Sequence, residues 1–340
     1  MKIIELLPEL DIGGVERHVI DLTSELALRG HELLVISAGG KMAHQLSPQV
    51  RQLTLPVHRK NPITGWLCAC RIASLAKAEG WQLLHAHSRV PAWIAMWAAA
   101  KAGIPYIVTA HVDFGNKSPW IYRPYRNAAK TICVSAAVQE AMKSCFFDNT
   151  QVVLNGLDEP SEHWIPENAR LKPAKLLFVG RLSPVKGLQN LLKALPEDES
   201  WTLEVLGDGP MRAELEELTE KLGLAEKVTF HGYSEEVDHY MAAASCLLFP
   251  SYTEGMPLTL ARAVQIGLPV IASDIGPVSE MLGGREGLLA PEDISGWRKA
   301  IKSFLETGVV KSHFPAEAVP SLASMAETVE QLYSGALKKK

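Results

Sequence analysis

Residues 246–263 read Cys246-Leu247-Leu248-Phe249-Pro250-Ser251-Tyr252-Thr253-Glu254-Gly255-Met256-Pro257-Leu258-Thr259-Leu260-Ala261-Arg262-Ala263. An apolar run ends at Phe249, a short loop holds Gly255, and Pro257 stands where a first-turn helix proline belongs. The pattern predicts a strand, a tight loop and a helix from Leu258. The free N–H groups at such a helix start, together with the positive end of its dipole, suit a phosphate group. Glu254, in the loop just before it, offers a carboxylate to sugar hydroxyls. A plain strand-to-helix turn with a solvated glutamate would use the same residues, so the segment gains meaning only from its surroundings.

Outward from that segment, short β-branched runs alternate with helical patterns, the signature of βαβ units and parallel sheets. In the second half, strands are predicted near Lys175–Val179, Thr202–Leu206, Lys227–Phe230, Pro269–Ala272 and Gly287–Ala290, with helices near Lys186–Leu195, Met211–Leu222, Glu235–Ala244 and Ile294–Glu306. In the first half, strands fall near Lys2–Leu7, Leu33–Ser37, Gln82–Ala86, Pro105–Thr109, Thr131–Val134 and Val152–Leu154, with helices near Val15–Arg29, Ile63–Glu79, Arg89–Ala102 and Ala136–Ser144. The proline-containing, aperiodic Asp158–Pro173 reads as a linker and hinge. The fold class is therefore α/β, with two Rossmann-like doubly wound domains and a ligand cleft expected at the C-terminal strand edges. The expected boundaries are 1–157 and 158–319, with a C-terminal helix over 320–336.

Composition agrees. The chain has 340 residues, 47% apolar and 21% charged, with a net charge of −4, an ordinary globular balance. Residues 1–160 carry 16 basic and 13 acidic side chains, and the remainder 18 and 25. That balance argues against a nucleic-acid binder. Five cysteines without C-x-x-C spacing fit reduced thiols and a cytoplasmic protein. The apolar run Val90–Ala100 is too short to span a bilayer, which takes about 20 residues, so any contact with an inner membrane is expected to be peripheral.

The decisive signal is an ordered set of motifs. Glu254-Gly255-Met256-Pro257-Leu258, Gly267-Leu268-Pro269-Val270-Ile271-Ala272-Ser273 and Gly276-Pro277-Val278-Ser279-Glu280 resemble the donor half of the retaining glycosyltransferases of family four, which have the GT-B fold. Gly13-Gly14-Val15-Glu16 is similar to that family's N-terminal glycine loop, Gly180-Arg181-Leu182-Ser183-Pro184-Val185-Lys186-Gly187 to its phosphate segment, and Gly207-Asp208-Gly209-Pro210 to its Gly-Asp-Gly-Pro turn.

The resemblance implies two domains facing each other across a cleft, a C-terminal helix over 320–336 that returns to the first of them, and transfer of a sugar from a nucleotide diphosphate donor, with UDP or GDP as the nucleotide. The acceptor would be a glycan, a lipid-linked molecule or another polar acceptor, as in bacterial surface polysaccharide or lipopolysaccharide synthesis. It implies that Arg181 and Lys186 neutralise the diphosphate and that Glu254 holds the sugar. The backbone at Gly255, Met256, Pro257 and Leu258 would bind sugar and phosphate oxygens, Gly13 and Gly14 would let the chain approach the donor, and Tyr233 would meet the base. His111, at a strand end, would hydrogen-bond the donor sugar near the reaction centre. His85 and His87 read as lining or packing. No cofactor and no metal are expected, because the chain contains no Asp-x-Asp and a cationic pair can do the same electrostatic work.

Two features stand apart from this pattern. Family members usually carry a second glutamate eight positions after the first, on the ribose; here that position is Arg262, which cannot accept a hydrogen bond from a ribose. Arg262 is thus expected either to pair with an acidic side chain or to meet an anionic donor group. The stretch Phe114–Arg126 interleaves Trp120 with Lys117, Arg123 and Arg126; with Arg59, Lys60, Trp66 and Arg71 it offers a basic, aromatic surface for a lipid-linked or phosphorylated acceptor. A packed corner with solvated cations would look the same. A sugar-nucleotide epimerase, or a nucleotide-sugar-binding subunit that transfers nothing, would share this architecture.

Overall fold

The computed structural model describes residues 1–340 apart from 113, 114, 116–118, 147, 148, 198, 199, 312–318, 339 and 340. The chain divides into two units, Met1–Leu157 with Pro320–Lys340, and Asp158–Val319. Unit 1 holds the parallel strands β1 (Lys2–Leu6), β2 (Glu32–Ser37), β3 (Arg51–Thr54), β4 (Leu83–His87), β5 (Tyr106–Ala110), β6 (Lys130–Cys133) and β7 (Thr150–Val152). They form one sheet in the order β3-β2-β1-β4-β5-β6-β7. Its helices are α1 (Gly14–Leu28), α2 (Pro62–Glu79), α3 (Arg89–Ala102), α4 (Arg123–Asn127) and α5 (Ala136–Phe146).

Unit 2 repeats the scheme with β8 (Ala174–Val179), β9 (Trp201–Leu206), β10 (Val228–Gly232), β11 (Cys246–Phe249) and β12 (Val270–Ala272), ordered β10-β9-β8-β11-β12. Its helices are α6 (Leu188–Ala194), α7 (Arg212–Lys221), α8 (Val237–Ala243), α9 (Leu258–Ile266), α10 (Gly276–Met281) and α11 (Ile294–Thr307). The last helix, α12 (Leu322–Lys338), returns to unit 1. Its buried Met325, Ala326, Val329 and Tyr333 join the core that holds Val19, Ile20 and Leu26 of α1. Leu322 N–H donates to the Leu157 carbonyl and Leu157 N–H to that of Pro320, both at 3.0 Å. Among the described residues no helix is long and apolar enough to cross a membrane, and no cysteine forms a disulfide.

Strand burial explains why periodicity is readable. β4, β5 and β11 are buried along their whole length, as strands covered on both faces must be. The departures have physical causes. β3, Arg51-Gln52-Leu53-Thr54, is largely exposed; a polar edge strand carries no apolar signal and pairs only because β2 offers a free edge. The strand expected at Gly287–Ala290 reduces to one bridge, Leu289 to Ser273. The last strand of unit 1 lies at Thr150–Val152, two residues earlier than expected. Asp158–Pro173 is no loose hinge: Trp164 Nε1–H donates to the Ala244 carbonyl at 2.8 Å and Asn168 Nδ2–H to that of Ala242 at 2.7 Å. These two anchors fasten the stretch to unit 2, and a reading by proline content overlooks them.

In each sheet the strand order reverses once, between β1 and β4 and between β8 and β11. Ligands of open α/β sheets bind beyond the carboxyl ends of such strands. Glu5 and His87 lie near the ends of the first pair; the Gly180 and Pro250 loops leave the ends of the second.

Candidate active site

In unit 2 the two switch strands deliver two loops to one place. Gly180–Lys186 follows β8 and Pro250–Pro257 follows β11. They touch at Gly187, whose φ is +75° and where a Cβ would lie 2.1 Å from the Pro250 carbonyl oxygen; only glycine fits there. Tyr252 N–H donates to the Val185 carbonyl at 2.8 Å. The result is an ion pair, Lys186 Nζ to Glu254 Oε1 at 2.6 Å, with side chains 24% and 10% exposed. Arg181, in the first of the two loops, is exposed. Gly255, Met256 and Pro257 are buried and Leu258 opens α9. Pro257 stands one position earlier than expected, ahead of the first helical residue, with its carbonyl accepting the Ala261 N–H at 2.9 Å. Tyr233, exposed, follows the end of β10.

Arg262 has acidic partners. Its guanidinium bonds the Asp158 carboxylate, donates to the Asp158 carbonyl at 2.8 Å and to Gln265 Oε1 at 2.9 Å, and stands 3.3 Å from Asp238 Oδ1. Its side chain is 15% exposed, so it holds the start of the Asp158–Pro173 stretch to α9. Arg262→Glu, the usual family residue, would bring three carboxylates together. We expect the urea midpoint of unfolding to fall by the equivalent of about 2 kcal/mol or more, since a charged partner is lost and repulsion replaces it. An unmoved midpoint would mean the contacts carry no weight.

In unit 1 the carboxyl ends of three strands converge on a chain of buried polar groups. Glu5 Oε2 accepts from His87 Nε2 at 2.9 Å and Glu5 Oε1 from the Tyr333 hydroxyl at 2.8 Å. His87 Nδ1 meets His111 Nε2 at 2.9 Å. His85 bridges the Tyr333 oxygen and Thr109 Oγ1, each at 2.7 Å, with Nδ1 3.1 Å from Glu5 Oε2. His18, from α1, stacks edge-on to His111 with centroids 5.0 Å apart. Burial pushes His87 down to about 4, with His85 adding to it, and His18 down to about 3. Burial also holds His111 well below its ordinary value. Burial alone would raise the Glu5 carboxyl, yet His85 and His87 hold it well below the usual carboxylate range.

His18, His87 and His111 bring ring nitrogens within 4.8 Å of one another, and Glu5, His85 and His87 do the same. Within the first of these groups His87 Nδ1 and His111 Nε2 stand 2.9 Å apart, at hydrogen-bond distance. Gly13 does not answer to a backbone requirement: its φ is −179°, and a Cβ there would meet only the movable end of Glu16. Gly14 is the first residue of α1.

A third group lies on α2, α3 and the turn before α4. Ring centroids run Trp66 to Trp97 at 5.9 Å, Trp97 to Trp93 at 5.6 Å and Trp93 to Trp120 at 4.7 Å. Ile63, Trp66, Leu67 and Trp120 are exposed. Arg59, Lys60, Arg71, Arg123 and Arg126 are exposed, and Lys101 Nζ lies 4.8 Å from the Trp66 ring. Lys117 lies outside the described residues. Glu5 and His18 escaped the sequence reading, although a carboxylate inside a buried strand signals a partner.

Two family models match. One described as Glycosyl transferases group 1 covers residues 161–318, and one described as Glycosyltransferase Family 4 covers residues 12–159. A glycogen synthase of Mycobacterium tuberculosis is 25% identical, over 88% of this chain and 84% of its own. A putative teichuronic acid biosynthesis glycosyltransferase of Bacillus subtilis is 29% identical over 65% of this chain and 61% of its own. The crystal structure of Anabaena HepE in complex with UDP and glucose is 20% identical and superposes with a TM-score of 0.80, covering 98% of this chain and 99% of that one.

Proposed function

We propose, since the chain belongs to the glycosyltransferases of family four and group 1 and has the GT-B fold, that it transfers a hexose-type sugar from a uridine or guanosine diphosphate donor with retention and without a metal. The observation that carries this is the Lys186–Glu254 pair at the ends of the switch strands. It sets a cation for a diphosphate beside a carboxylate for sugar hydroxyls. Arg181, Lys186 and the N–H groups from Met256 to Leu258 neutralise the leaving diphosphate, Glu254 holds the transferred sugar, Tyr233 meets the base, and His111 hydrogen-bonds a sugar hydroxyl. Glu254, engaged by an ammonium, is a poor covalent nucleophile. The acceptor hydroxyl therefore attacks from the face the diphosphate leaves, and positioning and charge neutralisation do the catalysis.

The acceptor is a glycan or lipid-linked molecule of a bacterial surface polysaccharide or lipopolysaccharide. The tryptophan chain with its cations supports a peripheral contact with the inner membrane, aromatic rings at the headgroups and cations on anionic lipid. Co-sedimentation with phosphatidylglycerol vesicles should fall roughly tenfold in Trp66→Ala/Leu67→Ala; unchanged binding would remove the membrane role.

The central test incubates the protein with labelled UDP- and GDP-sugars, a cell-envelope lipid extract and excess EDTA. Label should reach an acceptor with the donor's anomeric configuration kept. Inversion, a need for manganese, or donor conversion without any acceptor would overturn the reading.

A further inference from the structure

The buried chain from Glu5 to His111 contains more information than its distances. An ionised carboxylate only accepts hydrogen bonds, so each neighbour of Glu5 must donate to it. The Tyr333 hydroxyl gives its proton to Oε1, and His87 gives its Nε2 proton to Oε2. A neutral imidazole has one N–H. Having used it on Glu5, His87 can only accept at Nδ1, and the group standing there is His111 Nε2 at 2.9 Å. His111 must therefore carry its proton on Nε2, which leaves Nδ1 as a lone pair. Among the described residues nothing pairs with that nitrogen.

We propose that Glu5 and His87 are positioning residues that hold His111 as the Nε2–H tautomer, so that its Nδ1 accepts a hydrogen bond from a sugar hydroxyl. The depressed value of His87, about 4 under burial with His85 beside it, agrees with a neutral ring in the middle of the chain. All three side chains are nearly or wholly out of water. The ring of His111 is also fixed in angle, because His18 packs edge-on against it at 5.0 Å. With the opposite tautomer, His111 would present an N–H and could only donate to that hydroxyl. The hydroxyl rests on the transfer reading; the tautomer does not.

Two arms test this, and they fail separately. In the first, the protein is labelled with 15N-histidine and its long-range 1H–15N spectrum read at neutral pH, with no substrate. His87 and His111 should both show a proton on Nε2 alone. A His111 protonated on Nδ1, or on both nitrogens, overturns the proposal whatever the enzyme does. In the second arm, turnover of UDP-glucose is compared across variants. Glu5→Gln keeps the shape but can offer His87 an N–H in place of an oxygen, which reverses the chain. It should lose on the order of a hundredfold in kcat, the scale of a misplaced contact. Combined with His111→Ala it should be no slower than His111→Ala alone, because residues acting through one group are non-additive. Fully additive losses would make Glu5 a structural residue and overturn the relay. The wild-type spectrum decides the tautomer even where Glu5→Gln fails to fold. If UDP-glucose is not turned over by the wild type, the transfer reading is at fault for this donor and the spectrum still stands.

Discussion

Glu254→Ala is expected to slow transfer by about tenfold to a hundredfold while nucleoside diphosphate binding holds or tightens. A charge-assisted hydrogen bond is worth about 1.5–3 kcal/mol, so losing a carboxylate that grips the transferred sugar removes roughly one to two powers of ten from the rate. The same change frees the Lys186 ammonium, now held 2.6 Å from Glu254 Oε1, for the diphosphate. Lys186→Ala should fail in the opposite manner. It leaves the mostly buried Glu254 carboxylate without its counter-charge, in a place that must receive another anion, and like charges there repel. Affinity for UDP should then drop by about tenfold to a hundredfold, with the donor losing in parallel. Titration calorimetry with UDP and initial rates of transfer, measured on both variants, separate the two cases. Equal loss of UDP affinity in both would show that the pair does not divide its work between sugar and phosphate.

Acidification from neutral pH towards pH 4 is expected to unfold unit 1 before unit 2. The buried histidines, among the described residues, are His18, His85, His87 and His111, all in unit 1. In the folded chain burial holds His87 at about 4 and His18 at about 3, against 6.5 for an ordinary histidine. Their folded values are depressed, so the unfolded chain takes up protons first. The stability they contribute is complete above about 6.5 and is lost as pH falls through the folded values. Each pKa unit corresponds to roughly 1.4 kcal/mol, and several units together rival the roughly 5–15 kcal/mol that holds a domain. Glu5, held below its usual range, adds to the loss below the ordinary carboxyl value of 4.5. Hydrogen exchange should show β1 and β4 losing protection between pH 6.5 and 4.5 while β8 and β11 keep theirs. Flat protection in unit 1 across that interval would mean that the histidines are hydrated or charged in the folded protein.

The amino-acid sequence on its own determined the local grammar of this protein. Strands buried on both faces are mostly apolar, so β5 and β11 are visible as runs, and glycine and proline at fixed offsets mark the Arg181–Gly187 and Glu254–Leu258 loops. Alternation of such runs with helices suffices for two doubly wound sheets. Elements without an apolar signal stayed hidden: β3 is polar because it is an edge, and the Asp158–Pro173 stretch is held by Trp164 and Asn168 rather than by any period. The pairing of the site's charges belonged to the tertiary structure alone. Lys186 meets Glu254 across 68 positions, Arg262 meets Asp158 across 104, and Tyr333 meets Glu5 across 328. The physical reason is the same in each case. A side chain's residue type states which bonds it can make, but only the strand order decides which distant partner stands within 3 Å, and burial then decides whether that bond can be left unmade.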